Sequence, residues 1–288
     1  MAQTLTESPA TGGPAASGFG HYAPGSFQKA IMRLTAGMPD TWFGRRLAFM
    51  FRRFGLLSLN GPLDVTLFGH RLRLYPFRNV CERRALFTPQ YFDLRERTLI
   101  AERMPEDPVF IDIGANVGLY SFYVADRARG QARIVAIEPQ SDIFQRLTAN
   151  IAFNPGVGIT PLDCAVGGEN GSMTLFIDPG NRGESSVRMI GDAGSDTAIR
   201  VPTKTLLTIL QEEGIDRIDA LKIDVEGAED MILFPFFKEA STHLHPGLIV
   251  LERSDDAWHQ DCRALLAEHG YRLIKETKLN LVFEKDRA

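Results

Sequence analysis

Cysteine is scarce in this chain, which has three cysteines among 288 residues. Cys81, Cys164 and Cys262 lie far apart, with no C-x-x-C pair and no histidines at zinc-ligand spacing beside them. This pattern argues against a disulfide-rich secreted scaffold and a structural zinc site, and it favours a reducing compartment. We therefore predict a cytoplasmic protein without a bound metal, in which the cysteines are buried as small apolar residues.

The chain also lacks an excess of positive charge and a membrane-spanning composition. Its net charge is −4 at pH 7, and 44% of its residues are hydrophobic, as in an ordinary soluble globular protein. Composition thus gives no support for a nucleic-acid partner and favours small-molecule chemistry. Residues 1–25 are rich in Ala, Gly, Pro, Ser and Thr and lack the pattern of a signal peptide, which predicts a disordered leader.

Apolar strands and helical segments alternate from Val109 onward. The predicted strands are VFIDI, RIVAI, ITPLD, DALKID and GLIVLE, followed by the pair YRLIK and NLVFE. This alternation is typical of an α/β fold with a doubly wound parallel sheet, and the closing pair predicts an antiparallel edge strand. Residues 26–100 read instead as an extension of helices and a hairpin, so we place the main domain at 101–288.

A glycine-rich turn follows the first strand of the main domain, in the segment VFIDIGANVGLYSFYVA. Gly114 and Gly118 let the backbone approach a ligand closely, and the helix that follows presents free N–H groups. The spacing is not the G-x-G-x-x-G of dinucleotide folds, and Asp112 would repel a pyrophosphate while attracting an ammonium group. The turn therefore favours S-adenosylmethionine as the cofactor.

Two further acids follow the next two strands. Glu138 lies about twenty residues after the glycines, where an acid can accept hydrogen bonds from ribose hydroxyls. Asp163 ends the third strand, where a side-chain acceptor could meet an adenine amino group, with the backbone of residues 164–166 nearby. The alternative for each acid is a solvated residue at a strand end or turn.

The densest charged segment is LKIDVEGAED, residues 221–230. Lys222, Asp224, Glu226 and Glu229 crowd the end of the fourth strand, where side chains point into the ligand crevice of such sheets. Charged groups packed this closely shift one another's proton affinity, as a general base requires. The alternative is that Lys222, Glu226 and Glu229 form salt links that hold the turn and its helix.

These strings together resemble the FkbM family of S-adenosylmethionine-dependent methyltransferases. The resemblance rests on FIDIGANVGLYS, IEP, LKIDVEGAE and VLERS, and covers roughly residues 79–283. It implies a Rossmann-like class I methyltransferase fold and O-methylation of a hydroxyl on a sugar, a glycan or glycolipid, or a natural product. Asp224 or Glu226 is then the candidate base, Lys222 orients the acceptor or steadies its alkoxide, and Asn116 fixes the glycine turn or contacts the cofactor.

A long polar loop, residues 179–196, interrupts the main domain between its third and fourth strands. Loops of this length in compact domains are usually functional or disordered. Its polar side chains suit a hydroxyl-rich acceptor, and we expect them to bind it as the loop closes over the site. The candidate acceptor-binding residues are Asn181, Arg182, Ser185 and Ser186.

The extension contains a basic helix, WFGRRLAFMFRRFGLL, residues 42–57. Its arginines and aromatic residues are compatible with peripheral contact to the inner face of an anionic membrane or to a lipid-linked substrate. The alternative is a helix packed on the catalytic domain with its arginines in water.

Two other functions compete with methyl transfer. A binding or scaffold protein could keep the fold and the cofactor without turnover. A nicotinamide-dependent oxidoreductase is disfavoured because the chain has neither G-x-G-x-x-G in the turn nor a Tyr-x-x-x-Lys motif for hydride chemistry.

Overall fold

A computed structural model describes residues 17–77, 79–177, 185–186 and 198–286. The described helices are α1 Ser26–Ala36, α2 Trp42–Leu57, α3 Val80–Phe87, α4 Leu94–Arg103, α5 Leu119–Arg127, α6 Ser141–Ala152, α7 Leu206–Glu212, α8 Glu229–Glu239 and α9 Cys262–Glu268, with 3₁₀ turns at Pro89–Tyr91 and Thr242–Leu244. The described strands are β1 Leu63–Leu67, β2 His70–Leu74, β3 Val109–Ile113, β4 Arg133–Ile137, β5 Ile159–Leu162, β6 Ala165–Val166, β7 Gly171–Ile177, β8 Ser185–Ser186, β9 Ala198–Lys204, β10 Ala220–Ile223, β11 Leu248–Glu252, β12 Tyr271–Glu276 and β13 Asn280–Lys285.

Seven of these strands form the central sheet, in the order β12-β13-β11-β10-β3-β4-β5. Neighbours from β11 to β5 pair in parallel, whereas β13 runs antiparallel to both β11 and β12. The predicted α/β class and mostly parallel sheet are confirmed. The antiparallel strand differs in position, because β13 inserts between β11 and β12 and leaves β12 at the edge.

Apolar residues cover both faces of this sheet, as a doubly wound fold requires. Every residue of β3 is buried. Phe110 belongs to one hydrophobic cluster, while Ile111 and Ile113 belong to the cluster on the opposite face. The short apolar run thus becomes a strand buried on both sides, and its carboxyl end leads directly into the glycine turn.

A second sheet lies between β5 and β10 in the chain and has the order β6-β9-β7-β8. The expected strand SMTLFID appears as β7, and IRVPTK appears within β9. Residues 185–186, predicted as part of a loop, are instead a short strand whose backbone pairs with Phe176 and Ile177. The structure therefore corrects the loop at those two positions, and Asn181 and Arg182 lie outside the described residues.

The hairpin of the extension anchors residues that we predicted to belong to a disordered leader. Arg73 on β2 forms a buried ion pair with Asp64 on β1, with Nε and Oδ1 2.7 Å apart. Arg73 also donates to the carbonyl of Ser17, and Asp64 accepts from the backbone of Gly20 and Tyr22. These bonds tie residues 17–25 to the hairpin, so the predicted boundary at residue 25 is corrected.

The extension and the central sheet share one hydrophobic core. A single cluster joins Ile31, Leu72 and Phe87 of the extension to Phe110 and Val250 of the sheet. Helix α4 also runs through the boundary that we predicted between residues 100 and 101. Among the described residues, no helix combines the length and the apolar character needed to cross a membrane.

Candidate active site

A cavity of about 280 Å³ lies at the carboxyl ends of β3, β4, β10 and β11. Its walls come from the glycine turn after β3, from Glu138 after β4, from residues 164–166, and from residues 224–226 after β10. Helix α3 closes another side with Val80, Cys81 and Arg84. Parallel sheets bind ligands at this end, so the cavity occupies the position that the sequence predicts.

Asn116 holds the glycine turn in shape. It has a left-handed backbone, with φ of 51°, and its side-chain oxygen accepts from the backbone N–H of Val117 and from Nδ2 of Asn79 at 2.8–2.9 Å. Asn79 in turn caps α3 by accepting from Glu82. Asn116 therefore links the turn to α3, which fits the first of its two predicted roles, and it also lines the cavity.

The two glycines of the turn have different surroundings. Gly114 has φ of +73° and lines the cavity, and a Cβ at this position would overlap the backbone carbonyl of Asp224. Gly118 has φ of +87° and begins α5, where a Cβ would lie 2.8 Å from Leu147 Cδ1. Gly114 thus permits close contact between two strand-end turns. Gly118 permits helix packing and is not part of the cavity wall.

Glu138 is a buried carboxylate that faces the cavity. Its Oε2 accepts from the backbone N–H of Asn116, and its Oε1 accepts from that of Gln140, both at 2.9 Å. Burial raises the pKa of Glu138 to about 7, although these two hydrogen bonds act in the opposite direction. The acid therefore bridges the turns after β3 and β4 and keeps oxygen lone pairs near the cavity.

Asp112 does not line the cavity, although the sequence analysis placed it against the cofactor. It is fully buried, accepts from Ser121 Oγ at 2.7 Å and lies 3.7 Å from Lys222 Nζ. Asp112 is paired in register with Lys222 on β10, so the two side chains share one face of the sheet, and Asp112 is engaged there by Ser121 and Lys222. Burial raises the pKa of Asp112, and Lys222 opposes that rise.

Asp163 lies just after β5 and is exposed. The neighbouring residues Cys164, Ala165 and Val166 line the cavity, whereas the Asp163 side chain is not part of its wall. The backbone that the sequence analysis placed near an adenine is thus at the cavity. A direct role for the Asp163 carboxylate remains a prediction.

Lys222 and Asp224 form an ion pair at the cavity, with Nζ and Oδ2 2.9 Å apart. Lys222 is buried and lies over the Tyr120 ring at 5.1 Å, while the Asp224 side chain is 35% exposed. Burial alone would lower the pKa of Lys222, but the carboxylates of Asp224 and Asp112 raise it above its ordinary value. Lys222 is therefore a permanent cation that compensates two acids on neighbouring strands.

The turn after β10 is held by two more acids. Glu252, the last residue of β11, accepts from the backbone N–H of Glu226 at 2.9 Å, where Glu226 has φ of 55°. Glu229 is fully buried and accepts from Val225 and from Trp258 Nε1. Glu229 thus supports the turn through N–H groups and not through the salt link with Lys222 that the alternative expected.

Three carboxylates come together beside the ion pair. Of the described residues, Asp224, Glu226 and Glu252 are the group whose ligand atoms could hold one metal ion, all within 4.8 Å of one another. Burial first, and then the charges of Asp224 and Glu226, raise the pKa of Glu252 to about 10. These surroundings favour the protonated form of Glu252, and a proton there lowers the repulsion within this group.

Sequence reasoning missed several residues of the cavity. Glu252 was noticed only as part of the resemblance, although the end of the apolar strand GLIVLE marks the same sheet edge as Asp224. Asp93 and Arg84 form an ion pair in the wall at 2.9 Å, and the Tyr120 hydroxyl donates to Asp93. No local sequence pattern marks Arg84, Asp93 and Tyr120 as site residues, because α3, α4 and α5 meet only in the folded chain.

Comparison with known proteins identifies the family. A family model described as "Methyltransferase FkbM domain" matches residues 112–273, which is more than half of the 288 residues. The chain belongs to the FkbM methyltransferase family. This FkbM chain is 27% identical over 219 residues to the methyltransferase sdnD of Sordaria araneosa, a match that covers 66% of the chain and 81% of that protein.

A second relative is the hexuronic acid methyltransferase AglP of Haloferax volcanii. The FkbM chain is 27% identical to it over 135 residues, which is 47% of the chain and 52% of AglP, or about half of that relative's length. Among solved structures, TrmK of M. capricolum in complex with S-adenosyl-homocysteine aligns with a TM-score of 0.38 and 11% identity, over 67% of this chain and 68% of that one.

Proposed function

We propose that the protein is an S-adenosylmethionine-dependent O-methyltransferase that acts on a hydroxyl of a small molecule, such as a sugar or a natural product. One observation carries the proposal: the glycine turn of the donor side and the Lys222–Asp224 pair share one cavity, where Gly114 packs on the backbone of Asp224. Membership of the FkbM family supports methyl transfer.

The cavity wall fits S-adenosylmethionine. Glu138 presents a buried carboxylate for ribose hydroxyls, and Asn116 presents the polar turn beside it. Ile137, Val166 and Leu175 supply apolar surface suited to an adenine ring. Asp112 contributes indirectly, because it positions Lys222 and Ser121. S-adenosylmethionine, when bound, supplies a methyl group on a positively charged sulfur.

The chain's own contribution is to hold the acceptor and remove its proton. A sugar-like hydroxyl is a poor nucleophile until a positioned base takes its proton, which typically accelerates a reaction about a hundred- to ten-thousandfold. Of the two predicted bases we choose Asp224, because its partly exposed carboxylate lines the cavity and lies 2.9 Å from Lys222 Nζ. Lys222 compensates the charge of Asp224 and steadies the oxygen that loses the proton.

The acceptor class follows from the polar residues of the cavity wall. Arg84, Asp93 and Asn280 join Glu226 in lining the cavity, and together they offer both hydrogen-bond donors and acceptors. Such a mixture suits a molecule with several hydroxyl or carboxyl groups. The name of AglP, a hexuronic acid methyltransferase, supports the same class.

The experiment uses radiolabelled S-adenosylmethionine with a panel of sugars, uronic acids and hydroxylated natural products, followed by identification of the labelled product. With the best acceptor, Asp224→Asn should lower kcat by about a hundredfold or more, while cofactor affinity is retained. Asp216→Asn, an exposed acid outside the cavity, is the matched control.

Three outcomes would contradict the proposal. Near-native turnover in both Asp224→Asn and Glu226→Gln would show that these carboxylates only support the turn. Cofactor binding without turnover on any acceptor would favour a scaffold protein. Comparable affinity for NAD in calorimetric titration would revive the oxidoreductase.

A further inference from the structure

Helix α2 buries small residues and exposes large apolar ones, the reverse of an ordinary amphipathic helix. Its buried residues are the small ones, Gly44, Ala48 and Gly55. Large apolar side chains point outward instead, with Trp42 71% and Leu57 76% exposed. The outward surface, here called the arginine–aromatic face, consists of Trp42, Phe43, Arg46, Phe49, Met50, Arg53, Phe54 and Leu57, all exposed.

Close packing fixes this orientation. A Cβ at Gly55 would lie 2.6 Å from the Phe87 ring and 2.9 Å from Ile31, so the inner side of α2 sits directly on α3 and α1. Thr41 caps α2 by accepting from Gly44. Rotating α2 to bury its aromatic residues would drive these contacts apart. The packing of α2 on α1 and α3 therefore keeps its large apolar side chains exposed.

The same region concentrates positive charge. Between residues 17 and 63 there are six lysines and arginines and a single carboxylate, Asp40, although the whole chain has a net charge of −4. Asp40 is paired with Arg45. On α2 the Arg46 guanidinium lies 4.9 Å from the Trp42 ring centroid, so charge and aromatic surface stand side by side.

We infer that the arginine–aromatic face docks on the surface of an anionic lipid bilayer. Aromatic side chains favour the membrane–water interface, and arginines extend beside them to reach lipid phosphates. The positive charge of this region is attracted to anionic headgroups, roughly in proportion to the number of arginines near the surface.

A second copy of the chain fits this face poorly. A two-fold dimer would bring the same patch against itself. Arg46 and Arg53 would then face their own copies, and the face itself contains no acid to compensate them. Like charges without a partner in an interface oppose association. The charge of the face thus selects an anionic partner over self-association.

The test is co-sedimentation of the full chain with vesicles of phosphatidylcholine alone and of phosphatidylcholine with phosphatidylglycerol. We expect binding to the anionic vesicles, weakened by high salt. Arg46→Glu with Arg53→Glu should reduce the partition coefficient by roughly thirtyfold or more. Trp42→Ser with Leu57→Ser should weaken binding without changing the circular dichroism spectrum.

Matched controls separate the face from general charge and hydrophobicity. Arg129→Glu with Arg272→Glu changes the net charge equally at exposed positions elsewhere, and Leu273→Ser removes an exposed apolar residue from β12. These variants should bind like the wild type. Absence of binding to anionic vesicles, or equal loss in the controls, overturns the inference. So does a dimer in sedimentation velocity that Trp42→Ser with Leu57→Ser dissociates.

Discussion

Gly114 lies against the backbone carbonyl of Asp224, so closely that a Cβ at position 114 would overlap the oxygen. The contact joins the turn after β3 to the turn after β10, and it couples the donor side of the cavity to the candidate base. Because Gly114 also has a left-handed backbone, any other residue there would add strain to the overlap.

Gly114→Ala tests this contact. We expect it to destabilise the fold by about 1–3 kcal/mol more than Gly130→Ala, because both replace a glycine with positive φ but position 130 has nothing within 4 Å. Thermal unfolding measures the difference, and the methyltransferase assay should show that turnover is also lost. Equal destabilisation by the two alanines would mean that the overlap is relieved without displacing Asp224.

Lys222→Met should be strongly destabilising, since Asp112 would become a buried carboxylate without its cation. Removing one partner of a buried pair typically costs about 3–5 kcal/mol. Adding Asp112→Asn should recover much of that loss, because the amide can still accept from Ser121. Urea unfolding of the wild type, both single variants and the double variant gives the free energies of unfolding for a double-mutant cycle. Simple additivity of the two single effects would contradict the coupling.

Cofactor affinity should rise with pH through neutrality. The pKa of Glu138 is raised to about 7, so its ionised fraction, the form that best accepts ribose hydroxyls, grows roughly tenfold between pH 6 and pH 8. Calorimetric titration with S-adenosylmethionine should show a comparable gain, absent in Glu138→Gln. Glu82, whose pKa is also about 7 but which is outside the cavity wall, is the control: Glu82→Gln should keep the pH dependence.

Arg73→Met should destabilise the protein by about 3–5 kcal/mol, because Asp64 is almost fully buried with it. Arg217→Met is the comparison, since Arg217 is 46% exposed in its pair with Asp107 and its loss should cost less than about 1 kcal/mol. Urea unfolding followed by circular dichroism gives both values. Similar small effects would show that water or another group replaces the guanidinium.

Local patterns predicted the strands and turns that meet at the cavity, because buried parallel strands read as short apolar runs and glycines mark the turns. Glu138 lies at the cavity because it directly follows one of these strands. The contacts of Asp112 were not predicted, since its cation Lys222 lies on a strand more than a hundred residues away in the sequence. Glu252 was missed because its contact with the turn after β10 depends on the pairing of β10 with β11, which the sequence pattern alone does not specify.

The hydrophobic cluster that joins the extension to the sheet affects how the protein can be divided. A fragment limited to the family match at 112–273 would omit Ile31, Leu72 and Phe87, and it would also lose Phe110 from the sheet. The part of the cluster that stays, including Val250, would be more exposed to water. Shortened expression fragments and chimaeras should therefore retain the chain from Ser17 onward, because the matched segment alone lacks core residues that pack on it from both sides in the sequence, from Ile31 to Phe110 and at Val282.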